Sequence, residues 1–583
     1  MSDLLNSASL VMIPSGYKED IVYSQIPTNG NGDLSFTRAS NGTRINSAGL
    51  VEVVAWNLLQ YSEDFSNGVW VKTNTTVSTN TTTAPNGTTT ADSLLETTAN
   101  ATHQLWERPD MVAGQTFTQS CYIKTNGRNR VQLQIFDSST FYAGALFDVV
   151  SGTIVATIGT SSIESVGNGW YRCIVSGVCP TSTTGYCVIN LTTDSYTQAS
   201  AQDSYTGDAS KGIFIYGAQA NIGSTAKPYF PTTDRLNVPR LTYQNGGGGC
   251  PSLLLEKQST NLVSYSQDFS NAYWNKTNQG GGSVAVVTAN YAISPDGTQN
   301  ATRFVCNLNG GNTSSDRSWM IATFSPPATT TLSIWIKLNS AGTKTIILSD
   351  SGGDTKTISG TDWQRIDATF VGASGEFRIG LIGGSTSDTL DCCIWGAQAE
   401  SGSYPTSYIP TTSASATRVA DACSKTGISS LIGQTEGTMF IDFYYELENK
   451  LPNGNDKGIM TIRPNGGGTA NEIALLYYGN EGSSYGQTIQ VRVAVGGVTQ
   501  CALSTPQTIT SGYYKVAFAY KQNDFAFYIN GVQIGTDSSG TVPTCSELYL
   551  TDPVRVTSPN APKEAILFPT RLSNSELASL TTL

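Results

Sequence analysis

Residues 57–74 read NLLQYSEDFSNGVWVKTN, and residues 261–278 read NLVSYSQDFSNAYWNKTN. The two segments are identical at 12 of 18 positions, and this repeat is the strongest indication of the fold in the sequence. A second pair follows, since IYGAQANIGSTAKPYFPTT at residues 215–233 matches IWGAQAESGSYPTSYIPTT at residues 394–412 at 11 of 19 positions. Similar segments in the same order indicate a repeated structural unit. The two pairs therefore bracket a duplicated domain, and the offset between copies shrinks from 204 to 179 residues, so the first copy is longer by about 25 residues.

Short alternating runs fill both copies. VQLQI at residues 131–135 and FRIGL at residues 377–381 place apolar side chains at every second position, which is the period of a half-buried strand. Long runs with helical spacing are missing from the copies, and their many threonines disfavour a helix because branched side chains restrict χ1. Antiparallel strands with one apolar face pack most simply as two sheets face to face. For a unit of about 150–175 residues, this pattern predicts a jelly-roll sandwich.

The residues after 412 form a third unit with a different pattern. Residues 514–520 and 525–529 alternate as strands, and Asn530-Gly531 follows them as a strong hairpin signal, because both turn positions need a positive φ. Near the end, Ser573 with Glu576 three residues later makes a capping box, which predicts a helix from about 574 to 581. The fold class predicted for the chain is all-β, with two duplicated jelly rolls, a third sandwich and a short C-terminal helix.

Composition and charge exclude several classes of function. The chain has 33 lysines and arginines against 44 acidic residues, a net charge of −11, and no cluster of basic residues. Nucleic-acid backbones and anionic membranes attract clustered cations, so we predict neither as a partner. The single histidine, His103, would have to serve any Ser-His-Asp or multi-histidine chemistry. We interpret it as an incidental polar residue on or near a strand.

Targeting signals and cofactor motifs are also missing from the sequence. It contains no stretch near 18 consecutive apolar residues, and residues 1–20 do not follow the pattern of a signal peptide, so we expect no membrane insertion. Eleven scattered cysteines do not make a disulfide framework and favour synthesis in a reducing cytoplasm. We predict no cofactor, although the aspartates at 350 and 354 and at 203 and 208 leave room for a structural calcium ion.

The connector between the copies carries a specific motif. It reads NVPRL at residues 237–241 and LLLE at residues 253–256, and the first copy is preceded by FTRAS at residues 36–40 and NSAGL at residues 46–50. This combination resembles a module of fibre and decoration proteins of tailed bacteriophages. We call the segment with FTRAS and NSAGL the lead of the first copy. It is followed by Asn57 without the NVPRL and LLLE elements, which suggests that one connector was shortened during the duplication.

Two further resemblances concern the folded units. The modules that follow such leads look like the carbohydrate-binding jelly rolls of polysaccharide-degrading enzymes, which is a likeness of fold. The third unit is similar to laminin-G and concanavalin-like sandwiches through YKVA at residues 514–517 and FYING at residues 527–531. The predicted domains are an extended N-terminal attachment segment and lead (1–57), jelly roll 1 (58–233), a connector (234–261), jelly roll 2 (262–412) and a concanavalin- or laminin-G-like domain (413–583).

The phage resemblance implies a structural protein of the virion surface that is assembled in the host cytoplasm. Its sandwiches would bind glycans of the host surface or of mucus, and many copies on one particle would turn weak contacts into avidity. Implied partners are other virion proteins of the capsid, collar or tail, which the first 35 or so residues would contact by strand addition, and further copies of the chain in a dimer or trimer. Head and tail positions stay open.

Two alternatives belong to other classes. A polysaccharide depolymerase would carry its catalytic site on the sandwiches, but the sequence shows no catalytic constellation, so we expect that the chain is not an enzyme. The two carboxylates of Glu446-Leu447-Glu448 would share one strand face, yet Asn449 and Lys450 mark a solvated loop at once. A bacterial surface lectin would need an export signal that we do not find.

Ligand contacts are expected among aromatic residues that the duplication does not repeat. Trp70 and Trp274 hold equivalent places in the two copies, so they mark shared architecture before they mark a shared ligand site. Binding sites tend to lie on the variable parts of a common scaffold. The carbohydrate-binding candidates are therefore Trp106, Tyr477, Tyr478 and Tyr485.

Overall fold

The computed structural model describes residues 2–111, 115–137, 140–179, 183–243, 248–351, 354–445, 457–478, 488–506, 509–555 and 561–583. These residues form strands almost throughout, with one short helix near each end, so the all-β prediction is confirmed. The chain divides into two compact units, one of Ala55–Leu236 with Thr298–Asn300 and the other of Met1–Val54, Asn237–Gly297 and Ala301–Leu583. The five-domain division predicted from the sequence stays a prediction.

The N-terminal residues form a helix and six short strands. These are α1 (Ser2–Leu5), β1 (Leu10–Met12), β2 (Tyr17–Lys18), β3 (Ile21–Val22), β4 (Leu34–Thr37), β5 (Gly42–Ile45) and β6 (Val51–Val54). Strands β5 and β6 pair with each other as an antiparallel hairpin. The NSAGL motif at residues 46–50 supplies the connection between these two strands.

The first copy is a sandwich of two antiparallel sheets. Its strands are β7 (Val71–Thr73), β8 (Thr75–Thr82), β9 (Ala91–Glu96), β10 (Asn100–Ala101), β11 (His103–Glu107), β12 (Asp110–Met111), β13 (Thr116–Asn126), β14 (Arg130–Phe136), β15 (Phe141–Asp148), β16 (Thr153–Ile158), β17 (Thr160–Gly167), β18 (Trp170–Val178), β19 (Thr183–Thr184), β20 (Tyr186–Leu191), β21 (Tyr205–Thr206) and β22 (Gly212–Ile222). One six-stranded sheet has the order β16-β15-β14-β20-β11-β7, and the other has the order β17-β18-β13-β22-β9-β8. Their inward side chains, among them Leu105, Leu133 and Ile215, form one core.

The second copy repeats this topology with one strand fewer in each sheet. The connector and the copy contain β23 (Leu241–Thr242), β24 (Ser252–Leu253), β25 (Ser259–Asn261), β26 (Asn275–Gln279), β27 (Val286–Ala292), β28 (Ala301–Asn307), β29 (Arg317–Thr323), β30 (Thr329–Leu338), β31 (Thr343–Ser349), β32 (Thr355–Ser359), β33 (Gln364–Val371), β34 (Glu376–Ile382) and β35 (Thr389–Ser401). The two sheets have the orders β32-β31-β34-β29-β26 and β33-β30-β35-β28-β27. The additional strands β16 and β17 of the first copy join opposite sheets, and they account for part of its greater length.

The repeated tryptophans occupy the same place in both cores. Trp70 donates its Nε1 hydrogen to the carbonyl of Tyr61 at 3.1 Å, and Trp274 donates to the carbonyl of Tyr265 at 2.9 Å. Each indole ring lies 5.0 Å from the phenylalanine of its own DFSN motif. The motif that the duplication preserves is therefore architectural.

The C-terminal sandwich consists of a six-stranded and a nine-stranded sheet. The elements after the second copy begin with β36 (Ala416–Arg418), which pairs with β25 outside this sandwich. The remaining elements are β37 (Ala422–Lys425), β38 (Glu436–Tyr445), β39 (Lys457–Arg463), β40 (Glu472–Tyr478), β41 (Thr488–Val495), β42 (Val498–Ser504), β43 (Gly512–Lys521), β44 (Phe525–Ile529), β45 (Val532–Asp537), β46 (Glu547–Tyr549), β47 (Ala561–Phe568) and α2 (Asn574–Thr581). The sheet orders are β1-β47-β38-β43-β44-β45 and β2-β3-β4-β37-β46-β39-β40-β41-β42. The predicted C-terminal helix is confirmed, with Ser573 and Glu576 forming its capping box.

The N-terminal strands complete this C-terminal sandwich. Strand β1 pairs with β47, β4 pairs with β37, and Leu10, Leu34 and Phe36 are buried in the core of the same sandwich. This arrangement differs from the prediction that the first 35 or so residues stay extended until an external partner receives them. The strand addition occurs within the chain, because the apolar residues of this segment are needed to cover the sandwich core.

Candidate functional site

Strands β11, β14 and β20 present a group of aromatic side chains on the outer face of the first copy. Burial alternates along β11, where Leu105 lies in the core and its neighbours Gln104 and Trp106 are only half-buried on the other face. Trp106 lies opposite Val188 of β20 in the sheet register. Phe136 at the end of β14 lies opposite Tyr186 at the start of β20. The strand alternation therefore sets all three rings on one side of the sheet.

The Tyr186 ring contacts the other two rings, and we call Trp106, Phe136 and Tyr186 the aromatic platform. The ring centroids of Trp106 and Tyr186 are 5.2 Å apart at 63°, and those of Phe136 and Tyr186 are 5.1 Å apart at 16°. The guanidinium of Arg108 lies 4.6 Å from the centre of the Tyr186 ring. Trp106 Nε1 donates to Thr73 Oγ1 at 3.3 Å, which holds the indole in place. The platform is a fixed, half-buried aromatic surface with a cation at its edge.

Amide side chains fill the other half of the same sheet face. Asn190 Nδ2 donates to Oε1 of both Gln132 and Gln134 at 3.0 Å. Both glutamines donate in turn to the Ala199 carbonyl, at 3.0 and 3.1 Å. These amides are buried and hold the loop of residues 198–201 over their half of the face. They restrict the accessible part of the face to the aromatic platform.

Beneath Trp106, a buried carboxyl group lies on the inward face of β11. Glu107 is 7% exposed, and both of its oxygens accept the backbone N–H of Gln60, at 2.9 and 3.1 Å. Burial raises the pKa of Glu107 to about 7. This carboxyl group is directed away from the platform, so we assign it to the stability of the sandwich.

The second copy does not carry the platform, although its strands follow the same register. Val71 follows Trp70 and pairs with Trp106, while Asn275 follows Trp274 and pairs with Ile321. Ile321 therefore takes the place of Trp106.

The remaining platform positions follow from the same two ladders. Thr323 pairs with Glu376, so these residues take the places of Arg108 and Tyr186. Ser349 pairs with Arg378 as Gln134 pairs with Val188, so Ser349 and Gln134 occupy equivalent positions. Ser351 and Phe136 each follow two residues later, so Ser351 takes the place of Phe136.

The outer face of the second copy is built around a covered tryptophan instead. Trp319 is 4% exposed, and the guanidinium carbons of Arg317 and Arg378 lie 4.7 and 5.3 Å from its ring centre. Gly380 pairs with Trp319 at a φ of +148°, and a Cβ there would meet the Trp319 Cα at 2.6 Å. The glycine lets the indole lie against the sheet while the arginines cover it. This ring offers no free face to a ligand.

The four residues predicted to bind carbohydrate are not brought together. Trp106 belongs to the platform, whereas Tyr477 and Tyr478 lie in the C-terminal sandwich. Tyr477 is 1% exposed and packs against the rings of Phe443 and Tyr445, so it has no surface for a ligand. Tyr478 is 40% exposed at the end of β40, and Tyr485 lies outside the described residues.

The sequence reasoning missed Phe136, Tyr186 and Arg108. Phe136 and Tyr186 end and begin strands whose partners are far away along the chain, and only the ladder between β14 and β20 sets them side by side. A usable signal exists, because each of the three residues lies at a position where the second copy has a small or polar residue. Reading it requires the strand register, which the repeat alignment alone does not supply.

Two of the four carboxylates considered as calcium ligands, those of Asp350 and Asp203, already accept hydrogen bonds. Asp350 accepts backbone N–H groups of Ser374, Gly375 and Glu376, and these bonds hold the pKa of Asp350 below its usual value despite its burial. Asp203 accepts the backbone N–H of Thr193 at 2.8 Å. Among the described residues no group of three or more histidine, cysteine, aspartate or glutamate side chains could hold a metal ion.

Arginine and glutamate residues of the FTRAS, NVPRL and LLLE motifs take part in a buried network of ion pairs. Arg38 and Arg240 both pair with Asp421, and Arg240 also pairs with Glu256 at 2.7 Å. Arg418 pairs with Glu256 at 3.1 Å. Although burial opposes it, the charges of Arg418 and Arg240 lower the pKa of Glu256 to about 2. The side chains of all five residues are buried and paired, so the network is a structural joint of the unit and not an open binding site.

No family model matches the chain, and a search of curated proteins finds no match. Among solved structures, a tandem CBM22-1–CBM22-2 domain of Xyn10C from Paenibacillus barcinonensis is similar at 11% identity and a TM-score of 0.21, covering 59% of this chain and 97% of that one. The sialidase of Trypanosoma rangeli is similar at 11% identity and a TM-score of 0.21, covering 94% of this chain and 98% of that one. Similarities at this level assign no function to this chain.

The expectation that the chain is not an enzyme is corrected by this comparison. A sialidase complex with the inhibitor DANA also aligns with 94% of the chain, at a TM-score of 0.20. The sequence-based exclusion does not stand against such matches, and their low TM-scores assign no activity either. No helix among the described residues is long and apolar enough to cross a membrane.

Proposed function

We propose that the first copy is a saccharide-binding module and that the aromatic platform is its contact surface. The observation that carries this proposal is the group of three touching, half-buried rings on a rigid sheet face, at positions where the otherwise matching second copy has Ile321, Glu376 and Ser351. A core role would preserve these rings in both copies, as it preserves Trp70 and Trp274. Rings that differ between copies of one scaffold are more simply explained by a ligand.

The chemistry of the platform suits a sugar ring. Aromatic faces combine apolar area with a fixed geometry, so they stack on the C–H face of a pyranose while its hydroxyl groups stay in water. Ordered rings on a sheet lose little conformational entropy on binding. The surface is shallow and small, so a single contact is weak, with a dissociation constant on the order of a millimolar. Useful adhesion therefore requires many copies.

The finer part of the proposal is that the module is displayed on the surface of a tailed-phage virion. The connector motif supports it, since NVPRL and LLLE resemble fibre and decoration proteins of such phages. A particle that carries many copies converts millimolar contacts into firm attachment. Other virion proteins and further copies of this chain are its proposed partners, and proteomics of particles purified from infected cells tests this location.

A glycan array tests the binding proposal with the full chain. The array carries neutral and acidic glycans, and the protein is presented as a multivalent display to compensate for weak single contacts. We expect binding that falls about 5- to 150-fold in Trp106→Ala, because removing one stacking ring costs about 1–3 kcal/mol. Tyr291→Ala is the matched control, since Tyr291 is an aromatic residue of the second copy that is 46% exposed and lies outside the platform.

The outcomes show whether the platform of the first copy or another part of the chain binds the glycan. Binding that is lost in Trp106→Ala and kept in Tyr291→Ala supports the platform. Binding that survives Trp106→Ala, in a variant whose thermal unfolding matches the wild type, would move the site elsewhere. A chain that binds no glycan on the array contradicts the saccharide-binding proposal.

A further inference from the structure

Among the residues that the structure describes, Arg108 differs from every other arginine in its hydrogen bonding. Of the 17 arginines in the sequence, the other 16 each donate at least one hydrogen bond within the described residues. Arg108 has no hydrogen bond or ion pair to any residue that the structure describes, and its side chain is exposed. An arginine guanidinium has five N–H donors in a planar fork.

The guanidinium is nevertheless held at a defined place. It lies 4.6 Å from the centre of the Tyr186 ring, and its N–H donors bond to no described residue. The neighbouring carboxylates within the described residues accept hydrogen bonds from other groups. Glu107 accepts from Gln60 on the inward face, and Asp110 accepts from Thr184 Oγ1 at 3.4 Å. The edge of the platform therefore carries a guanidinium that pairs with no described carboxylate, on a chain with a net charge of −11.

The scaffold does not need this charge. Thr323 occupies the place of Arg108 in the second copy, where the aromatic platform is also missing. The platform positions of the first copy thus carry both the cation and the rings, whereas the corresponding positions of the second copy carry neither a guanidinium nor an aromatic ring. A joint role in binding explains why they occur together, whereas a role in folding would retain the arginine in both copies.

We propose that the platform takes an anionic saccharide, one with a carboxylate or sulfate group on its sugar ring, and that Arg108 donates hydrogen bonds to that group. Carboxylate and sulfate oxygens both match the guanidinium fork. This inference rests on the proposed saccharide binding and adds the ligand class. Tyr186 holds the guanidinium beside the platform, so a sugar stacked on the neighbouring Trp106 ring would present its anionic group to Arg108.

The test compares pairs of ligands that differ only in charge. The probes are a hexuronate oligosaccharide with its methyl ester and a sulfated oligosaccharide with its desulfated form, each titrated into the full chain. We expect the charged form of at least one pair to bind about ten-fold more tightly, because hydrogen bonds to a charged group are stronger than those to a neutral one. In Arg108→Gln the affinity for the charged form should fall to that of its neutral partner, and Arg108→Lys should recover only part of the difference.

Arg303→Gln is the matched control. Arg303 also lies over a tyrosine, with its guanidinium 5.3 Å from the Tyr291 ring centre, but its charge is already paired with Asp391 at 2.6 Å. We expect its replacement to leave the preference for the charged ligand unchanged. A preference that falls equally in Arg303→Gln and Arg108→Gln would reflect the general field of the protein and would overturn the inference.

The two levels of the proposal fail in different ways. If charged and neutral partners bind equally and both depend on Trp106, the inference about ligand class is wrong and the saccharide-binding proposal stands. If none of the four probes and no glycan on the array binds, the saccharide-binding proposal fails and the inference fails with it. A preference confined to the uronate pair or to the sulfated pair assigns the anion.

Discussion

The two copies of the duplicated sandwich share their cores and differ on one outer face. In the first copy this face carries Trp106, Phe136 and Tyr186 as half-buried, touching rings. In the second copy the corresponding face carries Trp319, which two arginines cover. The strand order and the buried tryptophans of the DFSN motif are the same in both.

The difference shows which positions of the scaffold are free to change. Inward side chains must fill a close-packed core, so large changes there cost several kcal/mol. Outward positions on the central strands are held by the same backbone ladder without that constraint. One copy can therefore acquire a contact surface while the other acquires a protective cover, and neither change disturbs the sandwich. Four predictions test this difference between the two copies.

The largest effect is expected in the segments that lead into each copy. Both contain an Arg–Glu pair, Arg44–Glu52 at 2.9 Å before the first and Arg240–Glu256 at 2.7 Å before the second. Arg240 is fully buried and also pairs with Asp421, so Arg240→Leu leaves two buried carboxylates without this partner and should cost about 3–5 kcal/mol of unfolding free energy. Arg44→Leu should cost about 1.5 kcal/mol.

Calorimetric unfolding of the full chain measures both variants, and the affected transition should move further in Arg240→Leu than in Arg44→Leu. Equal shifts would show that burial does not distinguish the two pairs. Glu256 adds a check at acid pH. Since its folded pKa is about 2 against an ordinary 4.5, its stabilising contribution is present above pH 4.5 and is lost as the pH falls through 2.

The second prediction concerns Glu107, whose place in the second copy is taken by Ala322. Burial raises the pKa of Glu107 to about 7 from an ordinary 4.5, so the folded state favours the protonated form. The stabilising contribution is fully present below pH 4.5 and is lost as the pH rises through 7, a change of about 3 kcal/mol. The wild-type first copy should lose stability across this window.

Glu107→Gln should abolish most of that slope and raise the unfolding temperature at pH 8. The measurement is calorimetric unfolding at half-unit steps between pH 4.5 and pH 8. The transition of the second copy, with an alanine at this position, should show no slope from this source. A wild-type first copy whose unfolding is flat across the window would contradict the account of a buried, protonated Glu107.

The third prediction concerns ligand affinity. Tyr186 contacts both other rings and Arg108, so Tyr186→Ala should weaken saccharide binding about 10- to 30-fold. Its counterpart in the second copy is Glu376, and Glu376→Ala should leave the affinity unchanged. Isothermal titration of a glycan selected on the array measures both. A larger loss in Glu376→Ala than in Tyr186→Ala would reverse the assignment of the binding copy.

The smallest effect is expected on the covered tryptophan. Arg317 lies 4.7 Å from the Trp319 ring centre and donates to the Ser314 carbonyl, so Arg317→Gln should cost about 1 kcal/mol or less in the unfolding of the second copy. Saccharide affinity should not change, because Arg378 still covers the ring. A gain in binding would show that the cover hides a second functional site.

The sequence predicts the scaffold well because its signals are local or repeated. Strand alternation in VQLQI, the Asn530-Gly531 turn and the Ser573–Glu576 capping box each specify local backbone structure. The repeat supplies the duplicated sandwich and its core tryptophans. The incorporation of Leu10–Met12 beside Ala561–Phe568 was not predicted, because this pairing joins residues at opposite ends of the chain and leaves no local trace.

The candidate site is predictable only in part. Trp106 is accessible to sequence reasoning as an aromatic residue without a counterpart in the repeat. Tyr477 meets the same criterion but packs against Phe443 in the C-terminal core, since the criterion does not tell the two faces of a strand apart. Phe136 and Arg108 become part of the site through cross-strand register with Tyr186. That register depends on how the sheets assemble.

The most direct test of the account is a crystal structure of the full chain soaked with the saccharide that it binds on the array. We predict density for a sugar ring stacked on Trp106, with its anionic group beside Arg108. The corresponding face around Trp319 should hold no ligand. Density for the saccharide on the second copy or on the C-terminal sandwich, with an unoccupied platform, would contradict the central claim.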